Sequence, residues 1–87
     1  MSELLEHRIK RMKMRSMRRG IKEMDLILPA FADSRLAQMS EAELSIYDAL
    51  LSENDHDLYQ WVTGQAAPPE QFAATIAQIA TTLNKLD

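Results

Sequence analysis

Apolar side chains return every third or fourth residue along almost the whole of this chain, and no run alternates apolar with polar residues long enough to make a strand. That spacing admits an all-α fold and little else. In 87 residues it implies one domain, 1–87, a single small five-helix bundle burying only about two thirds of its unfolded surface. A deep, enclosed active site does not fit such a core.

Stop and start residues divide the pattern. The first helix is expected from about Glu3 to Arg19, with Arg18 and Arg19 suiting the negative end of its dipole and Gly20 supplying the left-handed residue that stops it. The second carries Ile21, Met24, Leu26, Ile27, Leu28 and Phe31, and Pro29 predicts a bend or an early end, with Asp33 to Met39 turn-like. Ser40-Glu41-Ala42-Glu43 is a capping box that opens a third helix lined by Leu44, Tyr47, Leu50 and Leu51. Asp55 is read as the cap of a short fourth helix carrying Leu58, Trp61 and Val62, closed by Thr63-Gly64. Pro68-Pro69-Glu70 begins a fifth, whose stripe is Phe72, Ile76, Ile79, Leu83 and Leu86. Tyr59 and Trp61 fit core anchors that join the fourth helix to the bundle.

Charge is divided as sharply as the helices. Through Lys22 eight Lys or Arg face only Glu3 and Glu6, a net of +6, whereas from Glu23 onward Arg35 and Lys85 face eleven acids, a net of −9. Gly20 lies at the seam. If one helix continued through it, Arg19 and Glu23 would stand at i and i+4 beside a bare glycine; if the helix breaks there, the reading preferred here, Gly20 exposes amides at the start of the next helix. Either way a side-chain-free patch, bordered by a guanidinium and a carboxylate, allows another backbone to approach closely. The basic helix would steer such docking toward an acidic surface, or else be a solvated polar face.

Chemistry by the chain itself finds little support. There is no Cys, so disulfides and thiolate metal sites are excluded. His7 and His56 have no ligand-like partners at helical spacing, Asp55-His56-Asp57 reads as a cap with first-turn acids, and Met12, Met14 and Met17 do not share one helix face. No catalytic or metal-binding residue is assigned. The sequence has no run of about 18 apolar residues to span a bilayer, and the expectation is a monomeric protein of bacterial cytoplasmic type without membrane insertion.

Arg15-Ser16-Met17-Arg18-Arg19-Gly20-Ile21-Lys22-Glu23-Met24-Asp25-Leu26-Ile27-Leu28, followed by Phe31-Ala32, resembles the R-G-x-x-E signature of the succinate dehydrogenase assembly factor family. Tyr47-Asp48-Ala49-Leu50-Leu51 and then Asp55-His56-Asp57-Leu58-Tyr59-Gln60-Trp61 resemble that family's second signature. The resemblance runs from about Arg11 to Phe72; Met17 and Pro29 depart modestly from it. It implies a non-catalytic factor that binds the flavoprotein subunit of succinate dehydrogenase, and in some members fumarate reductase, and promotes covalent attachment of FAD to a histidine of that subunit. It also implies that Arg19, Gly20 and Glu23 contact the partner, with Arg18, Ile21 and Asp25 as neighbours. FAD would be held by the partner, none being bound tightly by this chain.

Two other classes compete. Lys10, Arg11, Lys13, Arg15, Arg18, Arg19 and Lys22 suggest a nucleic-acid-binding regulator, against which stand the acidic remainder and the lack of aromatics among the basic residues. A flavin-transferring enzyme would need a Gly-rich pyrophosphate loop, which the sequence does not contain.

Overall fold

The computed structural model describes residues 4–85. It is all-α, with no strand among the described residues: α1 (Leu5–Arg15), α2 (Lys22–Arg35), a 3-10 turn (Leu36–Gln38), α3 (Glu41–Leu50), α4 (Asp55–Val62), a second 3-10 turn (Glu70–Phe72) and α5 (Ala73–Lys85). Two expectations, a first helix beginning at Glu3 and Leu86 ending the last apolar stripe, lie outside the described residues.

One apolar core joins all five helices. Met12 comes from α1, Met24, Ile27, Leu28 and Phe31 from α2, Leu44, Tyr47 and Leu50 from α3, Leu58 and Val62 from α4, and Ile76 and Ile79 from α5. Helical spacing selects all of these but Met12, which the sequence reading leaves out of the core, and it selects one residue too many. Leu26 is 64% exposed, because it points away from the face that carries Met24, Ile27 and Phe31. Tyr59 and Trp61 are partly buried against the core, the Trp61 ring lying 6.1 Å from that of Phe72, so α4 is fastened to the start of α5 by aromatic packing.

Local start signals act as written at α3. The Ser40 hydroxyl accepts from the Glu43 amide at 3.2 Å and Glu43 accepts from the Ser40 amide at 2.8 Å, a pairing that holds the Glu43 carboxyl below its usual pKa. At α4 the cap is Asn54, not Asp55: its Oδ1 accepts from the His56 amide at 2.8 Å, and Asp55 is the first helical residue. Of the bend or early end expected at Pro29, the early end does not occur. Proline inside a helix destabilises it by about 3 kcal/mol, but Phe31, Ala32 and Leu36 beyond it are all fully buried. Burial of a large apolar side chain contributes roughly 1.5–3 kcal/mol each, so α2 runs on to Arg35.

The largest departure is at the end of α1, which stops at Arg15, four residues early. There the Ser16 hydroxyl donates to the Met12 carbonyl at 2.8 Å and lies 2.6 Å from the Tyr47 hydroxyl, in full burial. With the serine proton engaged, Tyr47 is the donor in that pair. Nor is Gly20 the left-handed residue. That role falls to Arg18, at φ 57°.

Most of the arginines on α1 turn inward. Arg8 donates to the Ser45 hydroxyl at 2.8 Å, Arg11 to both oxygens of Asp48 at 3.3 Å, and Arg15 to Asp48 and, at 2.9 Å, to the Ser52 hydroxyl. The rungs rise together on both sides and span a polar groove of about 360 Å³ between α1 and α3. A basic run that reads as a docking face is therefore in good part a ladder fixing α1 to the bundle.

Asp48 serves two arginines, so Asp48→Asn should loosen α1. The expected loss is about 1 kcal/mol, because the group is part-exposed and solvent screens it, and the loss should shrink in high salt; denaturant unfolding at two ionic strengths checks both. A second prediction concerns Tyr47, whose hydroxyl burial pushes up to about 12 from the ordinary 10.0, against the pull of Arg19 and Arg15. A raised pKa means that the stabilisation is intact below about pH 10 and is lost as pH rises through about 12. Phenolate absorbance and helical signal followed together in alkali should show the last tyrosine ionising only as the fold is lost.

Candidate partner-binding site

Between α1 and α2 the chain reverses over residues 16–21, and each residue there has a distinct task. Ser16 is held in the core, Arg18 extends into solvent from its left-handed backbone, and Arg19 turns back into the protein. Its side chain is only 11% exposed. All three guanidinium nitrogens have acceptors: Nε donates to Asp55 Oδ1 at 2.8 Å, Nη1 to the Arg15 carbonyl at 2.9 Å and Nη2 to the Leu51 carbonyl at 3.1 Å. Two of these satisfy carbonyls at helix C-terminal ends, where the dipole favours a cation.

Asp55 completes the arrangement from the far side. Its second oxygen, Oδ2, accepts the Gly20 amide at 2.6 Å. One carboxylate, 17% exposed, thus takes a side-chain donor and a backbone donor from consecutive residues. The need for glycine follows from this approach and not from backbone conformation: a Cβ on Gly20 would lie 3.1 Å from Asp55 Oδ2, tighter than ordinary van der Waals contact. The Arg19 amide is held too, donating to Asp25 Oδ1 at 3.2 Å.

The outer surface of this loop is open. Arg18, Gly20, Lys22, Glu23, Asp25 and Leu26 are all exposed, and Ile21, in extended conformation at φ −119°, is partly buried against the core. Lys22, Glu23, Asp25 and Leu26 border an open depression of about 510 Å³. Of the six residues read from the sequence, four therefore lie outward: Arg18, Gly20, Glu23 and Asp25. Arg19 does not. The donor fork it was expected to offer, whether to a visitor or to Glu23, is already engaged by Asp55, Arg15 and Leu51, and the Gly20 amide is likewise engaged.

Two residues went unrecognised in the sequence. Asp55 was read as a cap, although Asn54 just before it could serve that purpose and leave the carboxylate free for a longer-range task. Leu26 is expected in the apolar stripe, although helical phase places it opposite Met24 and Leu28. What the surface offers is a backbone stripped of side chain, flanking acids and one apolar side chain. It is suited to contact, and among the described residues no group of three or more His, Asp or Glu could hold a metal.

Removing Arg19 leaves Asp55 largely buried without its partner, so Arg19→Ala should destabilise the fold by about 2–3 kcal/mol, near the low end for a broken buried pair. Arg18→Gly should do the reverse. Relief of a left-handed L-residue, which is strained by about 1–2 kcal/mol, less the greater chain entropy of glycine, leaves a gain of roughly 0.5–1 kcal/mol in the same unfolding experiment.

A family model described as flavinator of succinate dehydrogenase matches residues 10–83. Among curated relatives, the mitochondrial succinate dehydrogenase assembly factor 2 of Aspergillus terreus is 50% identical over 60 residues, covering 69% of this chain and 20% of that protein. Its counterpart in Drosophila grimshawi is 38% identical over 80 residues, covering 90% of this chain and 54% of the relative. That of Saccharomyces cerevisiae strain S288c is 45% identical over 62 residues, or 71% and 38%. The chain thus spans about half or less of these relatives. Their names place them in mitochondria and lend no support to the expected bacterial cytoplasmic location; among the described residues no helix is long and apolar enough to cross a membrane.

Proposed function

Because this chain belongs to the succinate dehydrogenase flavinator family, we propose that it binds the flavoprotein subunit of succinate dehydrogenase and promotes covalent attachment of FAD to a histidine of that subunit. The bond forms within the client, between its own histidine and its own flavin. This chain contributes no reacting atom and binds no FAD tightly; it acts as an assembly factor, as a monomer, and fumarate reductase is the second candidate client. One observation supports the reading most strongly: the exposed face of Gly20, with its amide held from behind by Asp55 and with Glu23, Asp25 and Leu26 beside it.

Such a face works by selection. A factor that binds the client best in the arrangement aligning histidine and flavin raises the population of that arrangement, and alignment alone contributes about 7 kcal/mol or more in favourable intramolecular reactions. No side chain need act as acid, base or nucleophile. The nucleic-acid alternative is weakened by the inward use of Arg8, Arg11, Arg15 and Arg19, which leaves fewer cations to meet phosphates.

The test is a pair of outward substitutions that leave the core alone, Glu23→Arg and Leu26→Asp. Both variants should keep the helical signal and melting behaviour of the parent. Capture of purified flavoprotein should fall by about tenfold or more, with a matching drop in covalent flavin fluorescence, while Glu70→Gln, an exposed change in the turn before α5, should be neutral. Folded variants with full capture and full flavinylation would remove this surface from the function.

A further inference from the structure

The two family signatures meet at one carboxylate: Asp55 Oδ1 accepts Arg19 Nε–H at 2.8 Å and Oδ2 accepts Gly20 N–H at 2.6 Å. Resting on the function proposed above, we infer that Asp55 is a positioning residue, acting on the client through the loop it shapes and not by touching the client. Its place in the structure argues for this. The side chain is 17% exposed and faces inward, and both oxygens have partners. α4 does not require it as a cap, since Asn54 already serves the His56 amide.

Apart from Asp55, the loop is held at Ser16 in the core, at Ile21 partly buried against it and by the Arg19 amide on Asp25, none of them a contact of Gly20 itself. Residues 16–21 belong to no helix, Arg18 is strained at φ 57°, and Arg18 and Gly20 have no buried side chain to anchor them. Without Asp55, the Gly20 amide would turn to water and the Arg19 guanidinium would keep only the Arg15 and Leu51 carbonyls. A glycine so released samples a wide range of backbone conformations. The face offered to the client would then be present in only a fraction of molecules, and apparent affinity falls by that fraction. Gly20 and Asp55 thus form one device, in which the lack of a Cβ admits the carboxylate and the carboxylate fixes the bare backbone.

Asp55→Asn tests this with an almost isosteric change. Only one of the two acceptors survives it, and the amide –NH₂ faces a donor. The variant is compared with the parent for binding to purified flavoprotein holding FAD non-covalently, and for the rate of covalent flavin formation at saturating factor. The expected result is a folded variant whose Kd rises about tenfold, as when the competent loop falls to about one tenth of molecules, with a saturating rate within about twofold of the parent. Gly20→Ala presses on the same carboxylate from the other side. The double variant should therefore bind no more than about twofold worse than the weaker single one, because linked sites are not additive. A folded Asp55→Asn with parental Kd, or two effects that multiply, would overturn the positioning role. If Asp55→Asn does not fold, the unaltered chain still decides: hydrogen exchange of the Gly20 amide should be slowed by its bond to Asp55, and a Gly20 amide that exchanges as freely as an unstructured one overturns the inference. A parent chain that fails to bind the flavoprotein at all overturns the proposed function itself, an outcome distinct from an indifferent Asp55→Asn.

Discussion

One carboxylate receiving two donors from consecutive residues is the constraint on which the rest of this molecule turns. Because Asp55 takes Arg19 from the side and Gly20 from the backbone, the chain leaving α1 must fold back against the start of α4. Several features follow from that demand. α1 has to end before Arg19, since a continuing helix could not place the guanidinium between the Arg15 and Leu51 carbonyls. Arg18 takes the left-handed conformation that makes the reversal. Any side chain at Gly20 would press on the Asp55 carboxylate, and α2 begins with its first acids outward.

The same economy governs the charges of the first helix. A net of +6 against −9 suggests a molecule with one bare cationic end. Arg8, Arg11 and Arg15 instead reach across a polar groove to Ser45, Asp48 and Ser52, and Lys13 lies 3.8 Å from Asp33. Asp48, Asp33 and Asp55 thus offset part of this charge within the fold, while Ser45 and Ser52 satisfy donors without offsetting any. Beneath the ladder, Met12 and the Ser16–Tyr47 pair provide the buried contact and Ile9 packs against the core beside them, so α1 is held by two apolar side chains, one hydroxyl pair and a row of arginines.

The fold was largely legible because its information is local. Helical phase alone selects Leu44, Tyr47 and Leu50, or Phe72, Ile76 and Ile79, and the Ser40–Glu43 box marks a start without reference to anything distant. The Asn54 cap and the outward phase of Leu26 are local departures from the sequence reading, whereas those at Pro29 and Arg19 come from contacts elsewhere in the fold. Pro29 would break an isolated helix, but Phe31, Ala32 and Leu36 buried beyond it hold α2 together. Arg19 would be a surface cation beside any other glycine, and is drawn inward because Asp55 and two carbonyls converge on it. Of the candidate site, Gly20, Glu23, Arg18 and Asp25 lie exposed; the inward role of Arg19 depends on Asp55, and spacing within the motif carries no trace of that residue.

The separation between Gly20 and the group that shapes it has a consequence for how the protein is made. Their hydrogen bond spans 35 residues, and the Ser16–Tyr47 pair spans 31. On a ribosome the N-terminal segment emerges first, well before the carboxylate that will order it, and contacts so distant in sequence form late. A nascent chain would therefore display its arginine-rich segment and an unshaped loop for as long as α3 and α4 remain in the exit tunnel, and the loop would take its final shape only once Asp55 is out.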